Sequence, residues 1–181
     1  FGNDGDFSRQ SLIKRYNADL ANDLGNLLSR LVTLIDDNMQ GTLPTRPNPE
    51  KDFYPQQIAS KSAEIAAKME SLDFNGALAL IWSVIGSLNE RINREAPWKL
   101  FKSAEEADRE RARILMFDMV WSVRIVAGWL EPFMPQTAAK IQMQLGVRQF
   151  PDALSAEQVL AGEKRGVGRI SKGPALFPRK A

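Results

Sequence analysis

Residues 114–130 constrain the fold more than any other part of this chain, because they are apolar on nearly every side of a helix. The apolar positions are Leu115, Met119, Val120, Val123, Val126 and Trp129, among others. A helix without a polar face is usually the buried centre of a bundle or a membrane span. No apolar run here approaches the length that crosses a bilayer. We therefore expect residues 114–130 at the centre of a helix bundle, with no membrane partner.

Apolar residues also recur at intervals of three and four along most of the remaining sequence, which predicts further helices. Ser8 and Asp73 have side chains suited to helix N-caps. The predicted helices cover residues 8–39, 55–72, 73–94, 103–133 (the central helix) and 135–145. The sequence has no alternating strand pattern. We predict an all-α, antiparallel bundle of about five helices with an irregular C-terminal tail.

Composition excludes most kinds of enzymatic site. The chain contains no cysteine and no histidine, which removes disulfides, thiolate metal sites, imidazole acid–base chemistry and histidine-activated nucleophiles. Adjacent carboxylates such as Asp36 and Asp37 diverge around a helix and cannot share a proton. We therefore predict no catalytic residue and no metal site, and the lack of cysteine is consistent with a cytoplasmic protein.

Basic residues are concentrated at the C-terminal end. Residues 161–181 contain six basic side chains and one acidic, and because the whole chain carries a net +2, the other residues sum to −3. The body is therefore not a general polyanion-binding surface. The tail is rich in glycine and contains Leu176, Phe177 and Pro178, so we expect it to be irregular and to pack against another surface.

A polar stripe lies on the first predicted helix. At about 100° per residue, Asn22, Asn26 and Arg30 follow one another at one-turn intervals, opposite the apolar face. Asparagine in a helix interior costs roughly 0.5–0.7 kcal/mol relative to alanine, so two in line need a reason. Amides and guanidinium groups match base edges and phosphates. An ordinary solvated helix face gives the same pattern, so the stripe alone leaves both interpretations open.

Trp98 lies at a break in the helical pattern. Pro97 cannot continue a helix interior and pushes the residue before it out of helical geometry, so the ring sits on a bend. Four basic residues flank it in sequence: Arg91, Arg94, Lys99 and Lys102. An aromatic ring among cations is typical of a stacking platform for an unpaired base. The alternative is a tryptophan that fills a gap in the core or at a hinge.

Four stretches carry a family resemblance. They are NADLANDLGNLLSR (residues 17–30), APWK (96–99), PFMP (132–135) and LFPR (176–179). In order and spacing, over nearly the whole chain, they resemble the helical anticodon-binding domain of the bacterial methionyl-tRNA synthetases, which are class I aminoacyl-tRNA synthetases. The resemblance implies that the chain binds the anticodon loop of methionine tRNA.

The resemblance also implies roles for individual residues. Trp98 would stack on the first anticodon base, a cytosine, and Pro97 would fix the ring. The stripe residues Asn22, Asn26 and Arg30 would hold and read the splayed bases.

By the same resemblance, the chain is one part of an ATP-dependent methionine–tRNA ligase that acts in the cytoplasm. The catalytic half, which binds ATP and is a candidate for a zinc site, lies outside this chain, so the chain alone is inactive. Residues 1–7 would be the remnant of the linker from that half, residues 8–150 the anticodon-binding domain, and residues 151–181 a tail that packs back toward the catalytic domain. Without the catalytic half, the contacts that Phe177 and the basic residues of the tail would make with it are expected to lack their partner.

Two other functions stay open from the sequence. The chain could be the equivalent domain of a sister class I synthetase for another amino acid. It could also be a non-enzymatic helical adaptor that uses the polar stripe to bind a protein partner.

Overall fold

The computed structural model describes residues 8–43, 54–146 and 168–180, and within these ranges the chain is mostly helical and has no strand. The elements are α1 (Arg9–Arg15), a π-helix (Tyr16–Gly25), α2 (Asn26–Met39), α3 (Tyr54–Ala59), α4 (Ser62–Glu70), α5 (Phe74–Glu95), α6 (Pro97–Leu100), α7 (Glu106–Leu130) and α8 (Pro135–Gln144). The predicted all-α class is confirmed. None of these helices is both long and apolar enough to cross a membrane.

Helix α7 is the centre of the bundle. Every residue from 115 to 127 is buried, and α7 packs against α2, α3, α5, α6 and α8. A helix without a polar face can be stable in water only if neighbours cover it on all sides, which is what these five helices do. The expectation that residues 114–130 lie at the centre of a helix bundle is therefore confirmed.

One charged residue of α7 is satisfied from a neighbouring helix. Asp118 is buried, and its Oδ2 accepts from Nη2 of Arg91 on α5 at 3.3 Å. The guanidinium of Arg91 also lies 3.8 Å from the centre of the Tyr54 ring on α3. Arg91 is near Trp98 in sequence, but its position on α5 directs this side chain toward α3 and α7.

Two predicted helices have different bounds. The second breaks into α3 and α4, where the Ser60 hydroxyl donates to the carbonyl oxygen of Gln57 at 2.7 Å. Such side-chain bonds offer the backbone an alternative to continuing a helix. The fourth begins at Glu106 rather than at Ser103, because the Ser103 hydroxyl accepts from the backbone N–H of Glu105 in a turn before the helix.

The first predicted helix is continuous but not uniform. Ser8 caps it, since its hydroxyl accepts from the backbone N–H of Ser11 at 3.1 Å. From Tyr16 to Gly25 the backbone is a π-helix, in which hydrogen bonds join residues five apart. The assumption of about 100° per residue, which defined the polar stripe, therefore fails on the N-terminal side of Asn26.

Side chains of α5 support the π-helix. Nε1 of Trp82 donates to the carbonyl oxygen of Asp19 at 3.3 Å, and Nδ2 of Asn89 donates to that of Asp23 at 3.2 Å. Gly25 closes the segment, and a Cβ at this position would lie 3.1 Å from the carbonyl oxygen of Leu20, five residues earlier. The unusual backbone is thus supported by α5, and a side chain at Gly25 would crowd the carbonyl oxygen of Leu20.

The described part of the tail runs back along the first helix. Ile170 is fully buried, and its N–H donates to the carbonyl oxygen of Gly41 at 2.8 Å. Further along, Phe177 packs edge-on against Tyr16. Phe177 therefore has a partner within this chain, and its contacts with a catalytic half stay a prediction. The predicted linker remnant (1–7) and residues 151–167 of the predicted tail lie outside the described residues.

Candidate nucleic-acid interface

The bend at Trp98 is built from three consecutive residues. Helix α5 ends at Glu95, and Ala96 takes the left-handed conformation with φ 45° and ψ 56°. Pro97 is the first residue of α6, where its fixed φ suits a helix start and its missing N–H is no loss. Pro97 is buried and Trp98 is half-buried, so the ring is fixed at its base but not enclosed.

Arg30 lies over the ring of Trp98. The guanidinium carbon is 5.3 Å from the ring centroid, within range of a cation–π interaction. Nη2 of Arg30 also donates to Oδ1 of Asn93 at 2.8 Å. The structure therefore brings together two residues that the sequence placed in one proposed site, Arg30 on α2 and Trp98 on α6.

Asn22 and Asn26 are exposed and line one groove. The groove has a volume of about 470 Å³ and lies between the first helix and tail residues 175–179. Oδ1 of Asn22 accepts from Nη2 of Arg179 at 2.8 Å. Trp98 does not line this groove. Arg30 connects the two parts, since it lies one α-helical turn after Asn26 and directly over Trp98.

The charges near Trp98 are mostly unneutralised. Lys99 and Lys102 are exposed, and among the described residues neither has a carboxylate within salt-bridge distance. Glu95 is held by Arg111, with Nη2 to Oε2 at 2.6 Å. Arg30 likewise has no carboxylate partner in the described part of the chain. The surface beside the ring is therefore locally cationic, although the body of the protein is slightly acidic.

Two residues at this surface were not assigned a role from the sequence. Asn93 lies five residues before Trp98, and Arg179 ends the last stretch of family resemblance. Their contacts join positions 63 and 157 residues apart, so no spacing rule could have revealed them.

A helical bundle that exposes an aromatic ring among cations, beside a row of amides, has the features of a nucleic-acid-binding domain. Residues 45–173 match the family described as the anticodon binding domain of methionyl tRNA ligase. This chain belongs to that family, as the sequence motifs predicted.

Curated relatives agree with this assignment. The methionine–tRNA ligase of Enterococcus faecalis is 37% identical over 99% of this chain. That of Caldanaerobacter subterraneus subsp. tengcongensis is 36% identical over 99% of this chain. The chain spans only 27% and 28% of the lengths of these two relatives.

Solved structures agree as well. The apo form of Mycobacterium tuberculosis methionyl-tRNA synthetase matches with a TM-score of 0.83 and 32% identity, over 100% of this chain and 36% of that chain. The same organism's synthetase in complex with methionyl-adenylate matches with a TM-score of 0.79 and 30% identity, over 96% of this chain and 34% of that chain.

Proposed function

We propose that this chain binds the anticodon loop of methionine tRNA through Trp98, Pro97, Arg30, Asn26 and Asn22. The observation that most directly supports this proposal is the Arg30 guanidinium, 5.3 Å from the centre of the half-buried Trp98 ring. Family membership supplies the ligand class, and the exposed amides supply groups that can distinguish base edges.

In the proposed mode, the first anticodon base stacks on Trp98. Stacking of one base on an aromatic side chain contributes roughly 1–3 kcal/mol. Pro97 and the left-handed Ala96 fix the backbone that carries the ring, so little conformational entropy is lost when the base arrives. Arg30 provides a positive charge at the same place for a phosphate or a base oxygen.

The amides of Asn22 and Asn26 would read the neighbouring splayed bases. Oδ1 of Asn22 already accepts from Arg179, which leaves its amide N–H groups as donors toward a base. Asn26 is exposed on the adjacent turn and can both donate and accept. Exposed Arg94, Lys99 and Lys102 lie within a few residues of Trp98 and are suited to the phosphates of the loop.

The larger function is that of an ATP-dependent methionine–tRNA ligase in the cytoplasm. Because the chain spans little more than a quarter of its relatives, the catalytic half would be a partner outside it. ATP, with zinc as a further candidate, would bind in that half. The described part of the tail packs on the first helix, and it would also contact the catalytic half.

The test is a binding titration of the chain with two anticodon stem-loops. One has cytosine as the first anticodon base, and the other has uracil there and is otherwise identical. We expect the cytosine loop to bind at least about 10-fold more tightly, because a well-stacked and hydrogen-bonded base is worth roughly 1–3 kcal/mol. Trp98→Ala should bind both loops weakly and equally.

Lys140→Ala is the control, since this exposed lysine lies on α8 and is not among the site residues. It should retain both affinity and preference. Equal binding of the two loops by the unchanged chain would contradict the proposal. A preference for another loop in a panel of anticodons would indicate a sister synthetase, and failure to bind any loop would favour the protein adaptor.

A further inference from the structure

We propose that Asn93 is a positioning residue, which holds the Arg30 guanidinium over Trp98 without neutralising its charge. The inference rests on the proposed function, because it assigns the control of one of the RNA-binding groups. Asn93 itself is exposed, on the last turn of α5.

The geometry joins three helices at one guanidinium. Nη2 of Arg30, on α2, donates to Oδ1 of Asn93, on α5, at 2.8 Å, and the same guanidinium lies 5.3 Å from the centre of the Trp98 ring, on α6. A guanidinium has donors only, so the amide oxygen of Asn93 must face it. The two groups that hold Arg30 therefore lie on opposite sides of the turn between α5 and α6.

Ala96 determines how far apart these two groups are. It lies between Asn93 and Trp98 and is one of three described residues other than glycine with positive φ. A left-handed alanine is uncommon and persists only where the surrounding structure imposes it. Because Ala96 is followed by the rigid Pro97, the side chain of Asn93 and the ring of Trp98 keep fixed positions relative to each other.

The group that holds Arg30 is the neutral amide of Asn93 and not a carboxylate. A carboxylate at position 93 would form an ion pair with Arg30 and cancel the charge that RNA would meet. The nearby carboxylate, Glu95, is held instead by Arg111 at 2.6 Å, with Arg94 at 3.9 Å. Within the described residues Arg30 has only the neutral amide and the ring, so it is ordered and still cationic.

Ordering before binding strengthens the complex. A free arginine side chain samples many rotamers, and fixing it when RNA binds would lower the affinity. Asn93 and Trp98 restrict Arg30 in the unbound protein. Asn93 thus acts through Arg30 and not by its own contact with RNA.

The experiment is a double-mutant cycle on the full chain, measured with the cytosine stem-loop. We expect Asn93→Ala to weaken binding about 3- to 10-fold, and Arg30→Ala to weaken it more. When Arg30→Ala is already present, adding Asn93→Ala should change the affinity by less than about twofold. Asn75→Ala, an exposed asparagine at the other end of α5, is the matched control and should bind as the unchanged chain does.

Asn93→Asp tests the effect of a negative charge at position 93 separately from the loss of the hydrogen bond to Arg30. It keeps an oxygen that can accept from Arg30, so the thermal midpoint should not fall. The affinity for the cytosine loop should drop at least as far as in Asn93→Ala, and the salt dependence of binding should become less steep. Wild-type affinity in Asn93→Asp would overturn the charge argument.

Two further outcomes distinguish this inference from the proposed function. If Asn93→Ala and Arg30→Ala have additive effects, Asn93 contacts RNA directly and the positioning role is wrong. The RNA-free readout is the NMR signal of the Arg30 Nε–H, which should be sharp and protected in the unchanged chain and broadened in Asn93→Ala. If that signal is unaffected by Asn93→Ala, the inference fails whether or not the chain selects the cytosine loop.

Discussion

The ring of Phe177 meets the ring of Tyr16 edge-on, with centroids 6.0 Å apart and planes at 89°. Three residues further along the tail, the backbone of Lys180 exchanges two hydrogen bonds with the side-chain amide of Asn17, each 2.9 Å long. Between these anchors lies Arg179, which donates to Asn22. The position of Arg179 at the proposed RNA surface therefore depends on how firmly the tail packs on the first helix.

Phe177→Ala should destabilise the chain and release this part of the tail. The ring is half-buried, so we expect a loss of about 2 kcal/mol, less than for a fully buried phenylalanine. For a protein of this size, that corresponds to a fall of about 4–8 °C in the thermal midpoint. Calorimetry would measure it, with Leu12→Ala as the control, because Leu12 is 53% exposed on the same helix. A midpoint equal to that of the control would show that the tail is not anchored by Phe177.

Gly25→Ala should destabilise the chain, although alanine normally stabilises a helix relative to glycine by roughly 1 kcal/mol. The new Cβ would lie 3.1 Å from the carbonyl oxygen of Leu20 and 3.5 Å from Cδ2 of Phe177. We expect a net loss on the order of 1 kcal/mol, since the carbonyl belongs to the helix backbone and cannot move freely. Gly86→Ala on α5 has nothing within 4 Å and should be stabilising. Urea unfolding measures the change in the free energy of unfolding for both variants. A change of the same sign in both would argue against a close contact between position 25 and the carbonyl oxygen of Leu20.

Trp98→Ala should have little effect on stability compared with a tryptophan of the core. Trp98 is half-buried, whereas Trp121 on α7 is only 3% exposed. We expect a loss of about 1 kcal/mol for Trp98→Ala, against about 3–5 kcal/mol for Trp121→Ala. Thermal unfolding of the two variants checks this. Equal losses would mean that Trp98 fills the bend and is not available to stack on a base.

Asp73→Asn should weaken the chain at neutral pH but not in acid. Oδ2 of Asp73 accepts from Lys68 Nζ at 2.8 Å and its Oδ1 accepts from the N–H of Gly76 at 2.9 Å, which lowers the pKa of Asp73 below its usual 3.8. A lowered pKa means that this stabilisation is complete above 3.8 and disappears as the pH falls through the folded value. Asparagine caps a helix as well as aspartate does, so the variant loses mainly the ion pair. The difference in urea midpoint between the two proteins should be largest at pH 7 and should shrink as the pH is lowered below 3.8, and a constant difference would contradict the titration.

Much of the fold could be predicted because the apolar residues that helices bury recur at regular intervals in the sequence. Residues 115–127 are buried at every position, and the apolar residues on nearly every side of that helix predicted this for most of them. Ser8 and Asp73 cap their helices as their side chains predicted. These features depend on residues close together in the chain, where periodicity and capping rules apply.

The features that could not be predicted depend on distant partners. Arg91 is near Trp98 in sequence, but it pairs with Asp118 and lies over Tyr54, neither of which its neighbours reveal. The π-helix also could not be predicted from the spacing of apolar residues, because it is supported by hydrogen bonds from Trp82 and Asn89 on the distant helix α5. The roles of Asn22, Asn26, Arg30, Pro97 and Trp98 in RNA binding stay predictions, although the structure does bring Arg30 against Trp98.

The π-helix affects how the surface that carries Asn22 and Asn26 could change during evolution. A π-helical turn holds one residue more than an α-helical turn, so the segment Tyr16–Gly25 could lose a residue by converting to regular α-helix. Such a deletion would leave the buried face of α2 where it is, but it would rotate Asn22 relative to Asn26. A length change in this segment would therefore rearrange the proposed RNA-binding surface while the bundle stayed intact.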